Sequence, residues 1–473
     1  MSESLPSRRQ SYQQHAEATL KLSIPVIIGQ VGQYLMSFID NLMIGQISYV
    51  HLSAATLANT FFFIITIIGF GITFAISPLV AEAMGSNKSE KAGEYFVQGT
   101  WVGVISSVII GLLVFFSAEL LPYIGQPKED VAYAYSYMRI LSLSVLPMLL
   151  FLVAKQFADG LSITRLAMII TLAGLGINVF VNWLLIFGYW GFPRLELDGA
   201  GIGTLVSRGI MTIMIFAYIF LHKRFKPYKL TEGWNQLNGK IIKKILEIGI
   251  PSGLQYFFEV AAFGGSTLMI GLLEKGSADR AAHQIALNMA ALAYMVVLGI
   301  SSGTAIRVGD YLGRKDLQNV QYAGVTGILL GSIFMVFAAI IFFVGRDFFP
   351  PFFNNNEYVL EVASLLMVIA GMFALFDGIQ AVALGALRGI QDVRIPTIIT
   401  FVAYWVINLP VGWALAFPLE LGVIGIWAGF VISLFLVAVL LSWRFWWLTQ
   451  DSIRNQQKNE IKEGHLLSDP ASA

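Results

Sequence analysis

The chain has 473 residues, of which 56% are hydrophobic and 12% charged, with a formal net charge of +1. Soluble proteins carry roughly 25% charged residues, so most of this apolar surface must be solvated by lipid. The charge balance excludes a nucleic-acid partner, and the absence of cysteine excludes disulfides, thiolate catalysis and cysteine-ligated metals.

The segment before residue 20 is polar, with neither an apolar signal region nor a small-residue cleavage site, so the first hydrophobic segment is expected to stay as a membrane helix. Twelve apolar segments follow, each near the length a bilayer requires: residues 20–45, 53–84, 93–118, 131–156, 165–188, 198–221, 243–270, 281–311, 320–345, 358–386, 395–417 and 421–448. Punctuated loops separate them, among them Gly85-Ser86-Asn87-Lys88, Gly125-Gln126-Pro127-Lys128, Asn354-Asn355-Asn356 and Gly389-Ile390-Gln391-Asp392. One longer, basic linker runs from His222 to Lys244.

The two sides of that linker repeat each other. Leu20-Lys21-Leu22-Ser23-Ile24-Pro25 recurs as Leu246-Glu247-Ile248-Gly249-Ile250-Pro251, and Leu42-Met43-Ile44-Gly45 recurs as Leu268-Met269-Ile270-Gly271. The stretch from Met84-Gly85 to Gly99 matches Leu312-Gly313 to Gly327. A membrane chain built as two copies of one half is the usual plan of a secondary transporter, with its site between the halves.

The predicted fold is all-α: a polytopic membrane protein with twelve transmembrane helices in two six-helix bundles. Six spans per half is an even number, so the bundles should be related by a pseudo-twofold axis along the membrane normal. The expected division is a cytoplasmic tail at 1–19, bundles at 20–221 and 243–448, a cytoplasmic linker at 222–242 and a tail at 449–473. With the N-terminus in the cytoplasm, roughly 22 of the 30 Lys and Arg fall on that side, so both termini are expected there. Pro25 and Pro251 should each break or kink the first helix of a half.

An ionisable residue at bilayer depth is costly, so each one is a functional candidate. Asp40 shares a helix face with Gln30, Gln33 and Ser37; Ser252, Gln255, Glu259 and Ser266 form the corresponding stripe of the second half. Asp377, Gln380 and Arg388 form a third group, Asn178 and Asn182 an i, i+4 pair, and His283, Gln284, Asn288 and Tyr294 a fourth group. Isolated Asn, Gln and Ser commonly serve as interhelical glue, which needs no charge. His283 reads as a satisfied interface residue, and Arg139, Arg208 and Arg307 as snorkelling or helix-end side chains. Glu259 aligns with Gln33 and Asp40 with Ser266, so the halves share a scaffold but not their charges.

Five segments together resemble the multidrug and toxic compound extrusion (MATE) family, in its bacterial NorM-like branch. They are Ile39-Asp40-Asn41-Leu42-Met43-Ile44-Gly45, Phe257-Phe258-Glu259-Val260, Ala281-Ala282-His283-Gln284-Ile285-Ala286, Arg307-Val308-Gly309 and Gly385-Ala386-Leu387-Arg388-Gly389-Ile390-Gln391-Asp392. The resemblance implies an inner-membrane antiporter that exports amphipathic, mostly cationic compounds in exchange for Na⁺ or H⁺. It implies a second-half coupling site at Glu259 and Asp377 with Tyr294 and Gln284 nearby. For the first half it implies a site of Asp40, Asn178, Asn182 and Thr204, the set that would hold Na⁺. Some members carry a carboxylate where this chain has Asn182, which leaves one formal charge in that site. No cofactor is expected, and the chain is expected to act as a monomer in the lipid bilayer.

The antiport chemistry follows from competition. A buried carboxylate can hold a proton or a cation, and an arriving cationic substrate competes for the same charge, so each ligand favours a different facing of the cavity. Met and aromatic side chains supply adaptable apolar and cation–π contacts. The chain has no GxxxxGK[ST] phosphate loop, so ATP is not the expected energy source. A flippase for lipid-linked saccharide or peptidoglycan precursors is the alternative, and it should show a more cationic cavity. An intramembrane prenyltransferase would need an Asp-rich cluster that the chain lacks, and a passive channel would not call for buried acids in a duplicated scaffold.

Overall fold

A computed structural model describes residues 8–123, 125 and 127–467. Residues 1–7 and 468–473 of the predicted tails, and Gln126 of the predicted loop, lie outside the described residues. Among those described, fifteen α-helices and no strand are found. In chain order they are α1 (Arg8–Gly45), α2 (Tyr49–Phe74), α3 (Ile76–Gly85), α4 (Ser89–Ser117), α5 (Lys128–Leu143), α6 (Val145–Gly160), α7 (Thr164–Phe187) and α8 (Glu196–Leu221) of the first half. The second half holds α9 (Gly239–Gly271), α10 (Gly276–Gly313), α11 (Leu317–Val344), α12 (Glu357–Gly389), α13 (Arg394–Phe401), α14 (Leu409–Ala416) and α15 (Gly422–Leu467).

These make twelve spans, because three of them are interrupted. α2 and α3 form one span broken at Ala75, and α5 and α6 form another, bent by 41° at Ser144. α13 and α14 are joined through a π-helical turn, Val402–Asn408. Ten spans and the bent pair are apolar enough to cross a membrane by length and composition. α9, 33 residues long and carrying Gln255 and Glu259, completes the twelve. The polar ends also coil: α1 begins at Arg8 and α15 runs on to Leu467, so most of both stretches read as tails is helical. Neither early proline breaks its helix. α1 is continuous through Pro25 and α9 through Pro251, because a single lost hydrogen bond is tolerated in a long packed helix.

The outward faces are those a lipid solvent selects. Leu329, Ile333, Phe337, Ile340 and Val344 are exposed along one side of α11, and Ile105, Ile109, Leu112 and Phe116 along α4. Inward, the first bundle packs Phe96 against Phe157 with ring centroids 4.6 Å apart, and the second packs Phe263 against Phe430 at 4.8 Å. The linker is strapped to α4. Gln98 donates to the Gln236 carbonyl at 2.9 Å and accepts from the Asn238 amide at 3.1 Å, while Trp101 donates to the Trp234 carbonyl at 3.2 Å.

The halves meet across a pseudo-twofold interface in which contacts come in reciprocal pairs. Gly85 packs on the backbone of Asp310, and Gly313, its repeat equivalent, packs on the backbone of Glu82. Gly71 lies against Gly253, and the equivalent Gly299 against Ile27. A Cβ at any of these glycines would overlap the partner, so they set how closely the bundles approach. Left-handed turns recur at matching non-glycine positions as well: Asn87 and Lys315 at φ 56° and 60°, and Ser162 and Gln391 at φ 61° and 65°.

These contacts gather at the end of the molecule that carries both the start of α1 and the end of α15. There Arg307 donates to the His15 carbonyl and, at 3.0 Å, to Thr19 Oγ1. Lys244 pairs with Glu82 at 3.2 Å, Gln391 donates to Glu82 at 2.7 Å, and Ser86 donates to the Gly313 carbonyl at 3.0 Å. Among the described residues no hydrogen bond joins the bundles at the other end.

Candidate cation and substrate sites in the two bundles

Asp40 sits near the C-terminal end of α1, where its side chain faces α7 and α8. Asn182 Nδ2 donates to Asp40 Oδ1 at 2.6 Å. The i, i+4 spacing on α7 stacks Asn178 beneath Asn182, with Asn182 Nδ2 and Asn178 Oδ1 3.5 Å apart, and Asn178 in turn faces Ser207 Oγ at 3.5 Å. Thr204 completes the group from α8, beside Asp40. Two oxygens here are buried without a hydrogen-bond partner, Asn182 Oδ1 and Thr204 Oγ1. Gly203 is what lets the Asn182 carbonyl come so close to α8. A carboxylate beside two unsatisfied neutral oxygens is a donor set that suits a hard cation. Asp40, Asn178, Asn182 and Thr204, the set the family resemblance implies, are therefore brought together.

Asp40 and Thr204 also line a cleft of about 410 Å³ together with Gln33, Asn59, Phe62, Tyr137 and Arg208. Arg208, expected to snorkel or to serve a helix end, instead turns into this cleft, donating to Ser144 Oγ at 2.6 Å and lying 5.3 Å from the Phe62 ring. Ser144 is the residue at the α5–α6 bend, so the bend presents an acceptor that holds the guanidinium in place. Arg139 pairs with Glu119 at 2.7 Å, and Arg307 is buried against the start of α1 instead of reaching to the surface.

In the second bundle Ser252, Gln255, Glu259 and Ser266 are all buried, so the polar stripe of α9 faces the protein. Glu259 and Asp377 of α12 are both buried and close enough to interact as like charges. Gln380, one turn beyond Asp377, donates to Glu259 Oε2 at 3.4 Å and to the Tyr404 hydroxyl at 3.0 Å. Tyr294 of α10 faces both acids. Asp377 Oδ1 is buried with no partner, an opening for a proton or cation in this group. Gln284 is not brought in: it is exposed and donates to Asn288 on its own helix at 3.0 Å. His283 is a satisfied interface residue, meeting Thr267 Oγ1 at 3.1 Å and accepting from Trp427 Nε1 at 3.0 Å.

Tyr404 was not singled out by the sequence. It lies in the π-helical turn, where the widened coil turns both Tyr404 and Asn408 into the core. The available signal was Pro410: a proline inside a span removes the hydrogen bond to the carbonyl four residues earlier and loosens the turn before it.

Two duplicated bundles, one with half-buried Asp40 lining a cleft and the other with Glu259 and Asp377 buried among polar side chains, define a membrane transporter fold. The chain belongs to the MatE family, whose profile matches it twice, over residues 25–184 and 251–414. It is 35% identical over 453 residues to the probable multidrug resistance protein NorM of Agrobacterium fabrum, covering 94% of this chain and 96% of that protein. It is 32% identical over 459 residues to the multidrug resistance protein NorM of Aliivibrio fischeri, covering 96% and 99%. In fold it is similar to a eukaryotic MATE transporter, with a TM-score of 0.85 at 19% identity over 94% of this chain and 99% of that one. It is equally similar to a multidrug resistance MATE family transporter of the MOP superfamily in an outward-facing conformation, with a TM-score of 0.85 at 20% identity over 95% and 99%.

Proposed function

We propose that the chain is a multidrug efflux transporter, a secondary antiporter that exports amphipathic, mostly cationic organic compounds in exchange for Na⁺ or H⁺. The observation that carries this reading is a separate acid site in each half, half-buried Asp40 lining a cleft in one and the buried Glu259 with Asp377 in the other. The names of the NorM relatives support the drug-export part. The two sites divide the work. The Asp40 group, with its unsatisfied oxygens, suits Na⁺, while the Glu259–Asp377 pair suits a proton or cation that a substrate cation displaces.

Residues 20–221 and 243–448 are proposed as the moving units, joined by the 222–242 linker, in an inner-membrane monomer. Following the positive-inside bias, the chain ends and the closed end lie in the cytoplasm. Proteoliposomes loaded with a cationic dye test the reading. An imposed Na⁺ or proton gradient should drive dye against its own gradient, and dye movement indifferent to both would overturn it.

A further inference from the structure

Toward the closed end, a second cavity of about 30 Å³ lies between the bundles, lined by Ser77, Lys155 and Gln156 from the first half and Tyr256 and Arg388 from the second. Arg388 is buried, and its Nε and Nη2 have no hydrogen-bond partner. Its guanidinium carbon lies 5.3 Å from the Phe74 ring and 5.8 Å from the Tyr256 ring. Ring stacking engages the face of a guanidinium and leaves the N–H donors in its plane unsatisfied. Ser77 Oγ, reaching the same cavity from α3, is likewise buried and unpartnered.

The charges do not balance. The Lys155 ammonium is matched by Asp159 at 3.1 Å, while among the described residues no carboxylate lies within ion-pair distance of Arg388. An unmatched buried cation with surplus donors is costly unless an acceptor reaches it. A cavity this size admits one monatomic anion or about two waters, since a single water occupies roughly 10–15 Å³ on the same measure. It is too small for an organic cargo.

We propose that this cavity binds one chloride-sized anion, held by Arg388 of the second half and Ser77 of the first. Because its donors come from both bundles, the anion is bound only while the bundles meet at this end. It therefore stabilises the facing in which this end is closed, and it leaves when the halves part here. The cavity shares no residue with the Asp40 group or the Glu259–Asp377 group, so loss of dye export and loss of anion binding are separate outcomes.

Bromide, which scatters anomalously, is the probe. Crystals of the full chain grown in bromide should show an anomalous peak between Ser77 and Arg388 that R388Q abolishes and S77A weakens. No peak in the wild-type chain, or one that persists in R388Q as an adventitious ion only, would overturn the proposal. A solution measurement covers the case in which R388Q fails to fold. The chain has no cysteine, so Lys88→Cys and Gln318→Cys, both exposed and on opposite halves, can carry a spin-label pair. Replacing chloride by gluconate should raise the long-distance population about threefold in the otherwise wild-type chain and leave it unmoved in S77A. Identical distance distributions in the two anions would equally overturn it.

Discussion

Glu259 and Asp377 can each lose their charge without losing their shape. E259Q keeps an oxygen for Gln380 to donate to, and D377N keeps a polar group of similar size, so both variants should fold. Each should nonetheless lower ion-driven dye export at least about tenfold at matched expression, because the exchangeable charge is gone. Wild-type rates in both would make these acids structural and shift attention to Asp40. In the first bundle the missing second carboxylate is the informative position. N182D adds a charge next to Asp40 and the unpartnered Thr204 oxygen, and should tighten Na⁺ binding by about tenfold, since charge count tunes cation sites. Isothermal titration of Na⁺ into the two proteins reads this directly, and an unchanged or weaker affinity would remove Asn182 from the site.

Breaks in the helices supply what straight spans do not. The α5–α6 bend exposes Ser144 to Arg208, and the π-helical turn delivers Tyr404 to Gln380. Y404F removes the hydroxyl that shares Gln380 with Glu259. It should slow export several-fold while leaving thermal stability within about 1.5 kcal/mol, the range for losing one hydrogen bond. Equal rates in the two proteins would reduce that turn to a packing feature. The bundle contact is the opposite case, since Gly71 of α2 rests on Gly253 of α9 with no room for a side chain. G71V should force α2 and α9 apart at a cost of about 1–3 kcal/mol, the usual penalty for overpacking. A melting temperature equal to the wild type's would mean that the halves do not need this approach.

For the whole molecule, alternation of access requires the end where Glu82 meets Lys244 to open. E82C with K244C, joined by a short reducible thiol linker, should stop export, and reduction should restore it. Export that continues at full rate with the linker intact would mean that cargo crosses without the halves separating there. The free chain provides the background for this experiment, having no cysteine of its own.

The amino-acid order determined the twelve spans, the duplication and which acids lie within the spans, because hydropathy over some twenty residues and the cost of burying charge are local properties of a chain in lipid. It was the family resemblance that joined Asp40 and the Asn178–Asn182 pair with Thr204 into one set; polar helix faces singled out the acid and the pair separately. Gln284 could not be sorted from Gln380 by that means: both sit on polar stripes, and only the rotation of α10 and α12 turns one outward and the other onto Glu259. Pro25 and Pro251 show the same limit: neighbouring helices carry α1 and α9 through them without a break, whereas the spans interrupted at Ala75 and Ser144 carry Pro78 and Pro147 in the turn that follows, so packing decides which proline interrupts a span. The end at which the halves close, and the cavity shared by Ser77 and Arg388, belong to the tertiary structure alone. They depend on two surfaces far apart in the chain meeting at glycines, and no local pattern records which surfaces those are.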